Sequence, residues 1–271
     1  MKIVVTGAAG HLGGKLSAHL AATGHVVTGL DLKAVDGPVP IDAADLSRLD
    51  PGWTGLLAGQ DVIVHLAADR DPKAAWQTVV PNNMDAVLNL FEAARQAGVP
   101  RVVFASSNWV MGGYRFDGTR LDSRTVPNPV TPYGMSKLMG ERVGAHYAAV
   151  HGMTVICTRI GWTQWTHDNQ PGPHMAMGRW GQLMWLSDRD FCAGMTAAAT
   201  APASGFVVLN MVSNNPGMRW SLDEARDCIG FSPRDGAPAQ LPLGIKLTEF
   251  GAWMAQVGVP RLLARLTGAS W

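Results

Sequence analysis

A tyrosine and a lysine stand four residues apart in the stretch TPYGMSKLMGE, residues 131–141. Thr131 suits the N-cap of a helix and Pro132 its first position, so Tyr133 and Lys137 fall on one helical face. A free phenol has a pKa of about 10, which is too high for a base at neutral pH. Because a nearby ammonium favours the phenolate, the pair predicts a tyrosine that takes or gives a proton while a carbonyl is made or reduced.

A serine upstream completes this chemistry. Ser107 lies in FASSNW at the end of a predicted strand, where its hydroxyl is able to hold a substrate oxygen beside the tyrosine. Serine, tyrosine, lysine and a nicotinamide ring together form a hydride-transfer site. Taken singly, each motif also has an ordinary structural interpretation: the Tyr–Lys spacing as a surface pair and SSN as a turn.

The opening stretch VVTGAAGHLGGKL predicts a dinucleotide site. It follows a strand and opens a helix, with glycines at 7, 10 and 13. Gly7 permits the tight turn, Gly10 lets the backbone approach a pyrophosphate, and Gly13 allows close packing of helix and sheet. The free N–H groups at the start of the helix favour phosphates. The alternative is a glycine-rich turn with no ligand.

An acidic residue at the end of the second strand bears on the choice of cofactor. Asp31 follows the glycine motif by about 20 residues, where a carboxylate accepts hydrogen bonds from the ribose and repels a 2′-phosphate. We therefore expect NAD rather than NADP. Lys33 is close enough to offset that repulsion, although a surface lysine is more often simply solvated.

The elements that position these residues alternate along the chain. Short, nearly continuous apolar runs predict strands at 2–6, 25–30, 61–67, 101–106, 153–160 and 205–212. Helix-length segments such as residues 83–98 lie between them, and this alternation predicts an α/β fold with a Rossmann-type doubly wound parallel sheet. We expect an NAD-binding domain over 1–160 that strand 205–212 rejoins, and a small C-terminal substrate lobe over 161–239.

Two features of the C-terminal part are more local. A capping-box pattern predicts a helix that begins near Ser221 with Glu224 closing its first turn. Residues 240–271 predict a helical tail in two parts, broken at 258–260. Its apolar stripes must be covered, either by the substrate lobe or, as we favour, by a second subunit.

Composition excludes several classes of function. The formal net charge of +1 leaves no electrostatic footprint for nucleic acid or an anionic membrane. Three scattered cysteines fit neither a disulfide framework nor a metal site, and His167 and His174 lack further ligands at a suitable spacing. No apolar run approaches a membrane span, and the chain starts on a strand with no room for a signal peptide. We expect a cytoplasmic protein without a bound metal.

The combined motifs resemble the extended short-chain dehydrogenase/reductases, or NAD-dependent epimerase/dehydratase family. TGAAGHLG, Asp31, DAADL (42–46), VHLAA (64–68), FASSN and YGMSK carry the resemblance, which covers about residues 1–235. It implies that Ser107, Tyr133 and Lys137 are catalytic. The cofactor-binding residues that it implies are Gly7, Gly10, His11, Leu12, Gly13, Asp31, Leu32, Asp45, Leu46, Leu66, Ala67, Ala68, Asn83, Tyr133, Lys137 and Ile160.

Within that family the chain is most similar to the uronate dehydrogenases, which oxidise a cyclic hexuronic acid at C1 to a lactone. RVVFASSN, TRIG, WLSDRDF and GFSPRD carry this similarity. It implies that Arg179 grips a substrate carboxylate, although a solvated loop arginine is the alternative. Trp109 and Trp162 depart from the group's pattern and indicate a more aromatic pocket. The substrate-binding residues expected on this basis are Arg70, Ser107, Asn108, Trp109, Tyr133, Trp162 and Arg179.

The resemblance implies an NAD-dependent oxidoreductase that acts on a small sugar or sugar acid and self-associates as a homo-oligomer. Dehydration is not expected, because Asn108 and Trp109 replace the acidic pair that dehydratases carry after the catalytic serine or threonine. Two other functions stay open. One is a sugar epimerase that retains its NAD, and the other is a regulator that senses the dinucleotide without turnover.

Overall fold

The computed structural model describes residues 1–36, 39–166, 168–172 and 178–267. Within these residues, seven parallel strands form one sheet in the order β3-β2-β1-β4-β5-β6-β7. The strands are β1 Lys2–Thr6, β2 Val26–Asp31, β3 Ile41–Ala43, β4 Val62–His65, β5 Arg101–Ser107, β6 Thr154–Ile160 and β7 Phe206–Met211. The predicted doubly wound parallel sheet is confirmed. The sequence pattern misses only β3, a three-residue edge strand too short to show an apolar period.

The helices cover both faces of the sheet. They are α1 His11–Ala22, α2 Pro51–Thr54, α3 Trp76–Val79, α4 Ala86–Gln96, α5 Pro132–His151, α6 Gly178–Leu183, α7 Asp188–Thr200, α8 Asp223–Ile229, α9 Leu243–Trp253 and α10 Val259–Thr267. Two 3-10 segments (Gly55–Leu57 and Asn108–Tyr114) and two π segments (Val80–Asp85 and Met254–Gly258) accompany them.

Two apolar cores follow from the alternation of side chains along the strands. Ile3 of β1 faces one side, where it joins the cluster that contains Leu16 of α1 and Phe191 of α7. Val4 faces the other side and joins the cluster that contains Leu90 of α4. All five of these side chains are fully buried, and burial of such a side chain stabilises the fold by about 1.5–3 kcal/mol.

The helix that begins the TPYGMSK motif forms as its sequence predicts. The hydroxyl oxygen of Thr131 accepts from the N–H of Gly134 at 3.1 Å, and Pro132 occupies the first helical position. The glycines inside α5 serve packing, because a Cβ at Gly140 would overlap the ring of Phe104. Close contact with the central strand β5 therefore explains a residue that is otherwise unfavourable inside a helix.

A third apolar cluster lies beyond the sheet. It includes Met111, Trp180, Met184 and Trp220, all buried, and its tryptophans 180 and 220 pack with ring centres 4.7 Å apart. These tryptophans therefore belong to a core rather than to a ligand pocket. The expected division into an NAD-binding domain over 1–160 and a substrate lobe over 161–239 remains a prediction. Strand β7 pairs with β6 inside the main sheet, as expected of strand 205–212.

Two local features differ from expectation. Helix α8 begins at Asp223, near Ser221 as predicted, and the Ser221 hydroxyl accepts from the N–H of Asp223 at 3.2 Å. The predicted capping box is wrong, because Glu224 accepts from the backbone and hydroxyl of Ser123. The tail does not break at residues 258–260, because a π segment joins α9 to α10. The wider π turn accommodates Pro260, which lacks an N–H for a regular helical hydrogen bond. None of the described helices combines the length and apolar character needed to cross a membrane.

Candidate active site

A cleft of about 950 Å³ opens at the carboxyl ends of the strands. Strand order reverses between β1 and β4, and ligands of such sheets bind in the crevice at this switch point. Of the predicted residues, those that line the cleft are Gly7, Gly10, His11, Leu12, Gly13, Asp31, Leu32, Asp45, Leu46, Leu66, Ala67, Ala68, Arg70, Ser107, Trp109, Tyr133, Lys137, Ile160 and Trp162.

The glycine-rich loop has the shape that a pyrophosphate requires. Gly7 adopts a φ of 71°, in the left-handed region that favours glycine. A Cβ at Gly13 would overlap the carbonyl oxygen of Gly7, so the first turn of α1 lies directly against the loop. Helix α1 starts at His11 on the cleft. Its first N–H groups lack partners within the helix and favour an anion.

The carboxylate of Asp31 is held at the other end of this loop. Oδ2 accepts from the N–H of Ala9 at 3.0 Å, and Oδ1 accepts from the N–H of Leu32 at 2.8 Å. An ionised carboxylate has about four acceptor positions, so two such bonds leave capacity for ribose hydroxyls. The contact with Ala9 also ties the glycine-rich loop to the carboxylate that would contact the ribose.

The three side chains with acid–base potential meet on the cleft. Ser107 ends β5 and accepts from the N–H of Trp109 at 3.2 Å, and its hydroxyl lies close enough to the Tyr133 phenol to lower the pKa of that group. Lys137 is almost fully buried and donates from Nζ to the carbonyl oxygen of Ala105 at 2.8 Å. This arrangement suits proton exchange with a substrate oxygen held between the serine and the tyrosine.

The electrostatics of the phenol differ from the expectation. Burial raises the pKa of Tyr133 above its usual value; the hydrogen bond from Ser107 opposes this shift, and the charge of Asp69 adds to it. Burial also lowers the pKa of Lys137 to about 8. The predicted lowering of the tyrosine pKa is therefore wrong for the protein alone, because desolvation of the phenolate is the largest effect on that pKa.

Two predicted asparagines do not line the cleft. Asn83 is buried; its Oδ1 accepts from the N–H of Asp69 at 2.7 Å, and its Nδ2 donates to the Oγ of Ser136 at 3.1 Å. It therefore holds the loop after β4 against α5. Asn108 is also fully buried, and its amide atoms have no hydrogen-bond partner among the described residues. Their ligand contacts remain predictions.

Arg179 lies away from the cleft. Its side chain is exposed, and its backbone N–H donates to Oε1 of Glu249 at 2.6 Å. Because Glu249 belongs to α9, this corner of the molecule seats the tail on the start of α6. This position does not support the expectation that the Arg179 side chain binds a substrate carboxylate.

Trp165 lines the cleft without a recognisable sequence signal. The guanidinium carbon of Arg70 lies 3.8 Å from the centre of its ring, and that ring lies 4.7 Å from the imidazole of His11, the first residue of α1. The three residues come from separate segments of the chain, so no local pattern brings them together. Other lining residues that sequence reasoning missed include Ala9, Asp69, Asp71, Asn82 and Thr163.

No group of three or more His, Cys, Asp or Glu side chains among the described residues is arranged to hold a metal ion. His167 and His174, which we considered as ligands, lie outside the described residues.

Comparisons with known proteins identify similar chains. A family model described as the NAD dependent epimerase/dehydratase family matches residues 3–162. The chain is 36% identical to the L-arabinose 1-dehydrogenase (NAD(P)(+)) of Haloferax volcanii, across 87% of this chain and 97% of the relative. It is 30% identical to the NAD-dependent glucose-6-phosphate dehydrogenase of the same organism, across 87% and 94%. A mutant uronate dehydrogenase from Agrobacterium tumefaciens, solved in complex with NAD, superposes with a TM-score of 0.75 at 29% identity, across 87% and 85%.

Proposed function

The chain belongs to the NAD dependent epimerase/dehydratase family, and on that basis we propose that it is an NAD-dependent dehydrogenase that oxidises the C1 hydroxyl of a sugar or sugar acid to a lactone. The observation that carries this proposal is the convergence of Ser107, Tyr133 and Lys137 on the cleft whose far end holds Asp31. Similar chains are named as dehydrogenases of an aldose, a sugar phosphate and uronates.

The cleft residues fit NAD. The loop at Gly7 and the start of α1 would hold the pyrophosphate, and Asp31 would accept from the ribose hydroxyls. Asp45 and Leu46 line the same end of the cleft and would lie near the adenine. When bound, the nicotinamide supplies the acceptor for the hydride that leaves C1.

The chain's own side chains handle the substrate oxygen and its proton. Ser107 holds the C1 hydroxyl beside Tyr133. The phenol first loses its own proton to the solvent of the open cleft, and the resulting phenolate takes the hydroxyl proton as the carbonyl forms. Because burial raises the pKa of Tyr133, formation of the phenolate needs stabilisation. The nearby ammonium of Lys137 supplies positive charge, and the hydrogen bond from Ser107 already favours the phenolate.

A sugar screen tests the proposal. The purified protein, incubated with NAD and a panel of aldoses, sugar phosphates and uronic acids, should form NADH with at least one of them. An epimerase would instead retain its nucleotide through purification and release no NADH. A dinucleotide sensor would bind NAD and turn over nothing, and either of those results would contradict the dehydrogenase.

Three further expectations stand beside this proposal. The protein acts in the cytoplasm, it self-associates as a homo-oligomer, and its tail contributes to that association. They are supported by the modest charge of the chain and by the exposed apolar side chains of the tail, which include Leu243, Leu247 and Phe250.

A further inference from the structure

The substrate end of the cleft combines a carboxylate with aromatic rings. Asp69, which is half-buried, lines the cleft together with Trp109, Trp162 and Tyr133. Its charge is close enough to contribute to the raised pKa of the phenol. Aromatic faces pack against the apolar face of a sugar ring, and a carboxylate accepts hydrogen bonds from sugar hydroxyls. This end of the cleft therefore offers partners for an uncharged, hydroxyl-rich ligand.

Among the described residues that line the cleft, the basic side chains already contact protein groups. Arg70 stacks on the ring of Trp165, and Lys137 donates to the carbonyl oxygen of Ala105. The imidazole of His11 contacts a backbone carbonyl in the same loop as Trp165. Arg70 is flanked in the chain by two acidic residues that also line the cleft, Asp69 and Asp71, so the loop 69–71 presents a net negative charge to a substrate carboxylate.

The arginine that the family resemblance assigned to a substrate carboxylate has a different position. Arg179 is exposed, and its N–H binds the side chain of Glu249 from the tail. The carboxylate of Glu249 therefore occupies the start of α6. Its charge also raises the pKa of Arg115, although burial lowers that pKa by more. This corner of the lobe seats the tail and does not line the cleft.

We propose that this cleft selects an uncharged aldose and discriminates against the uronate of the same configuration, with Asp69 as the specificity-determining residue. The inference rests on the proposed function. Asp69 accepts from the sugar hydroxyls and repels a carboxylate at C5 of the ring. Like charges a few ångströms apart at the effective dielectric of a protein site disfavour binding by about ten-fold or more.

Matched sugar pairs test the discrimination directly. D-galactose and D-galacturonate differ only at C6, as do D-glucose and D-glucuronate. For the preferred configuration, kcat/KM with NAD should be about ten-fold or more higher for the aldose than for its uronate. D-glucose 6-phosphate, a sugar with a larger negative charge, should be disfavoured in the same direction. Equal or higher kcat/KM for the uronate or the phosphate overturns the inference.

Two substitutions identify the residue responsible. Asp69→Asn removes the charge but keeps an oxygen that can accept the hydrogen bond from the N–H of Asp71, which is 3.1 Å long in the parent protein. It should lower the aldose-to-uronate ratio of kcat/KM by about ten-fold, whereas Asp227→Asn, at an exposed site on α8, should leave the ratio as it is. Arg179→Ala should also leave the ratio unaltered. A selective loss of uronate activity in Arg179→Ala overturns the inference.

A binding measurement separates this inference from the proposed function. Tryptophan fluorescence of the Tyr133→Phe protein with NAD bound reports sugar binding without turnover, because Trp109, Trp162 and Trp165 line the cleft. If no sugar yields NADH in the parent protein, the proposed function fails, yet tighter binding of the aldose still supports the inference. Tighter binding of the uronate, or binding of neither sugar, overturns it.

Discussion

The ammonium nitrogen of Lys137 lies 5.7 Å from the centre of the Tyr133 ring, one helical turn along α5. A hydrogen bond to the carbonyl oxygen of Ala105 holds it there, at the wall of the cleft. The lysine is therefore a fixed positive charge near the phenol rather than its hydrogen-bond partner. Because burial raises the pKa of the phenol above its usual value, the tyrosine stays protonated in the free protein, and substitution tests its acid–base role directly.

Tyr133→Phe should lower kcat by about 10²–10⁴-fold, because it removes the group that exchanges the proton. NAD affinity should stay within a few-fold, since the glycine loop and Asp31 supply most of the cofactor contacts. NADH formation and calorimetric titration with NAD measure the two effects. Tyr147→Phe is the matched control: that phenol bonds Glu92 outside the cleft. Retention of more than about a tenth of the activity in Tyr133→Phe would contradict the mechanism.

Asp31→Asn should raise the ratio of NADP to NAD in kcat/KM by about ten-fold or more, because the charge that repels a 2′-phosphate is lost. An asparagine keeps an oxygen for one of the two N–H groups, of Ala9 and Leu32, from which Asp31 accepts. Asp42→Asn, at an exposed position on β3 outside the cleft, serves as control. An unaltered coenzyme ratio would show that Asp31 does not face the ribose.

His65 should give the protein a distinct acid sensitivity. It is buried beside Thr6, and burial, with a smaller contribution from Lys137, lowers its pKa from 6.5 to about 3. Between these values the unfolded chain binds a proton that the native protein excludes. The free energy of unfolding therefore falls as pH drops through this window, by about 1.4 kcal/mol per unit.

The variant His65→Gln does not titrate, so its unfolding free energy should fall less steeply between pH 6 and 4, by about 1.4 kcal/mol per unit relative to the parent. Urea unfolding at a series of pH values measures this difference. His146→Gln, at an exposed position of α5, should retain the parental slope. Identical slopes for His65→Gln and the parent would show that the native state admits the proton.

Gly13→Ala and Gly14→Ala are neighbouring substitutions with opposite expected effects. A Cβ at Gly13 overlaps the carbonyl oxygen of Gly7, whereas one at Gly14 meets its nearest atom at 3.6 Å, an ordinary contact. Gly13→Ala should therefore lower both the melting temperature and NAD affinity. Gly14→Ala should leave binding intact and stabilise α1 by up to about 1 kcal/mol through helix propensity. Equal NAD affinity in both variants would contradict the tight packing at Gly13.

Removal of the tail before Leu241 should reduce both the size of the assembly and its melting temperature, because a bound subunit stabilises by mass action. On α9, Leu243, Leu247 and Phe250 recur at helical spacing and are 71%, 61% and 59% exposed, so a partner has apolar surface to cover. Light scattering and calorimetry check the two effects. A truncated chain of unchanged size would mean that the tail covers only its own lobe.

A less disruptive change separates assembly from folding. Leu243→Glu with Leu247→Glu keeps α9 in place through Glu249 but makes its exposed face charged. It should dissociate the oligomer while the monomer retains its NAD affinity. Thr248→Glu, on the same helix, is the matched control for added charge and should leave the assembly intact. An oligomer that persists in the variant with Leu243→Glu and Leu247→Glu would contradict an interface on this face.

Much of the architecture was predictable because its determinants are local. Buried parallel strands require continuous apolar runs, and the turn at Gly7 needs a residue that tolerates a φ of 71°. The start of α5 depends on Thr131 and Pro132 alone. The meeting of the three proposed catalytic residues was predictable for a related reason, since Tyr133 and Lys137 are separated by one helical turn and Ser107 ends a strand that α5 packs against.

The sequence by itself therefore determined the sheet, the glycine-rich loop and the meeting of Ser107, Tyr133 and Lys137, each through contacts within a few residues or through strand ends that a parallel sheet must bring to one edge. The tertiary structure alone decided the substrate end. Arg179 meets Glu249 across 70 residues, and Arg70 meets Trp165 from a different loop. Such contacts depend on how loops fold over the sheet, and side-chain packing between distant segments leaves no period or spacing in the chain.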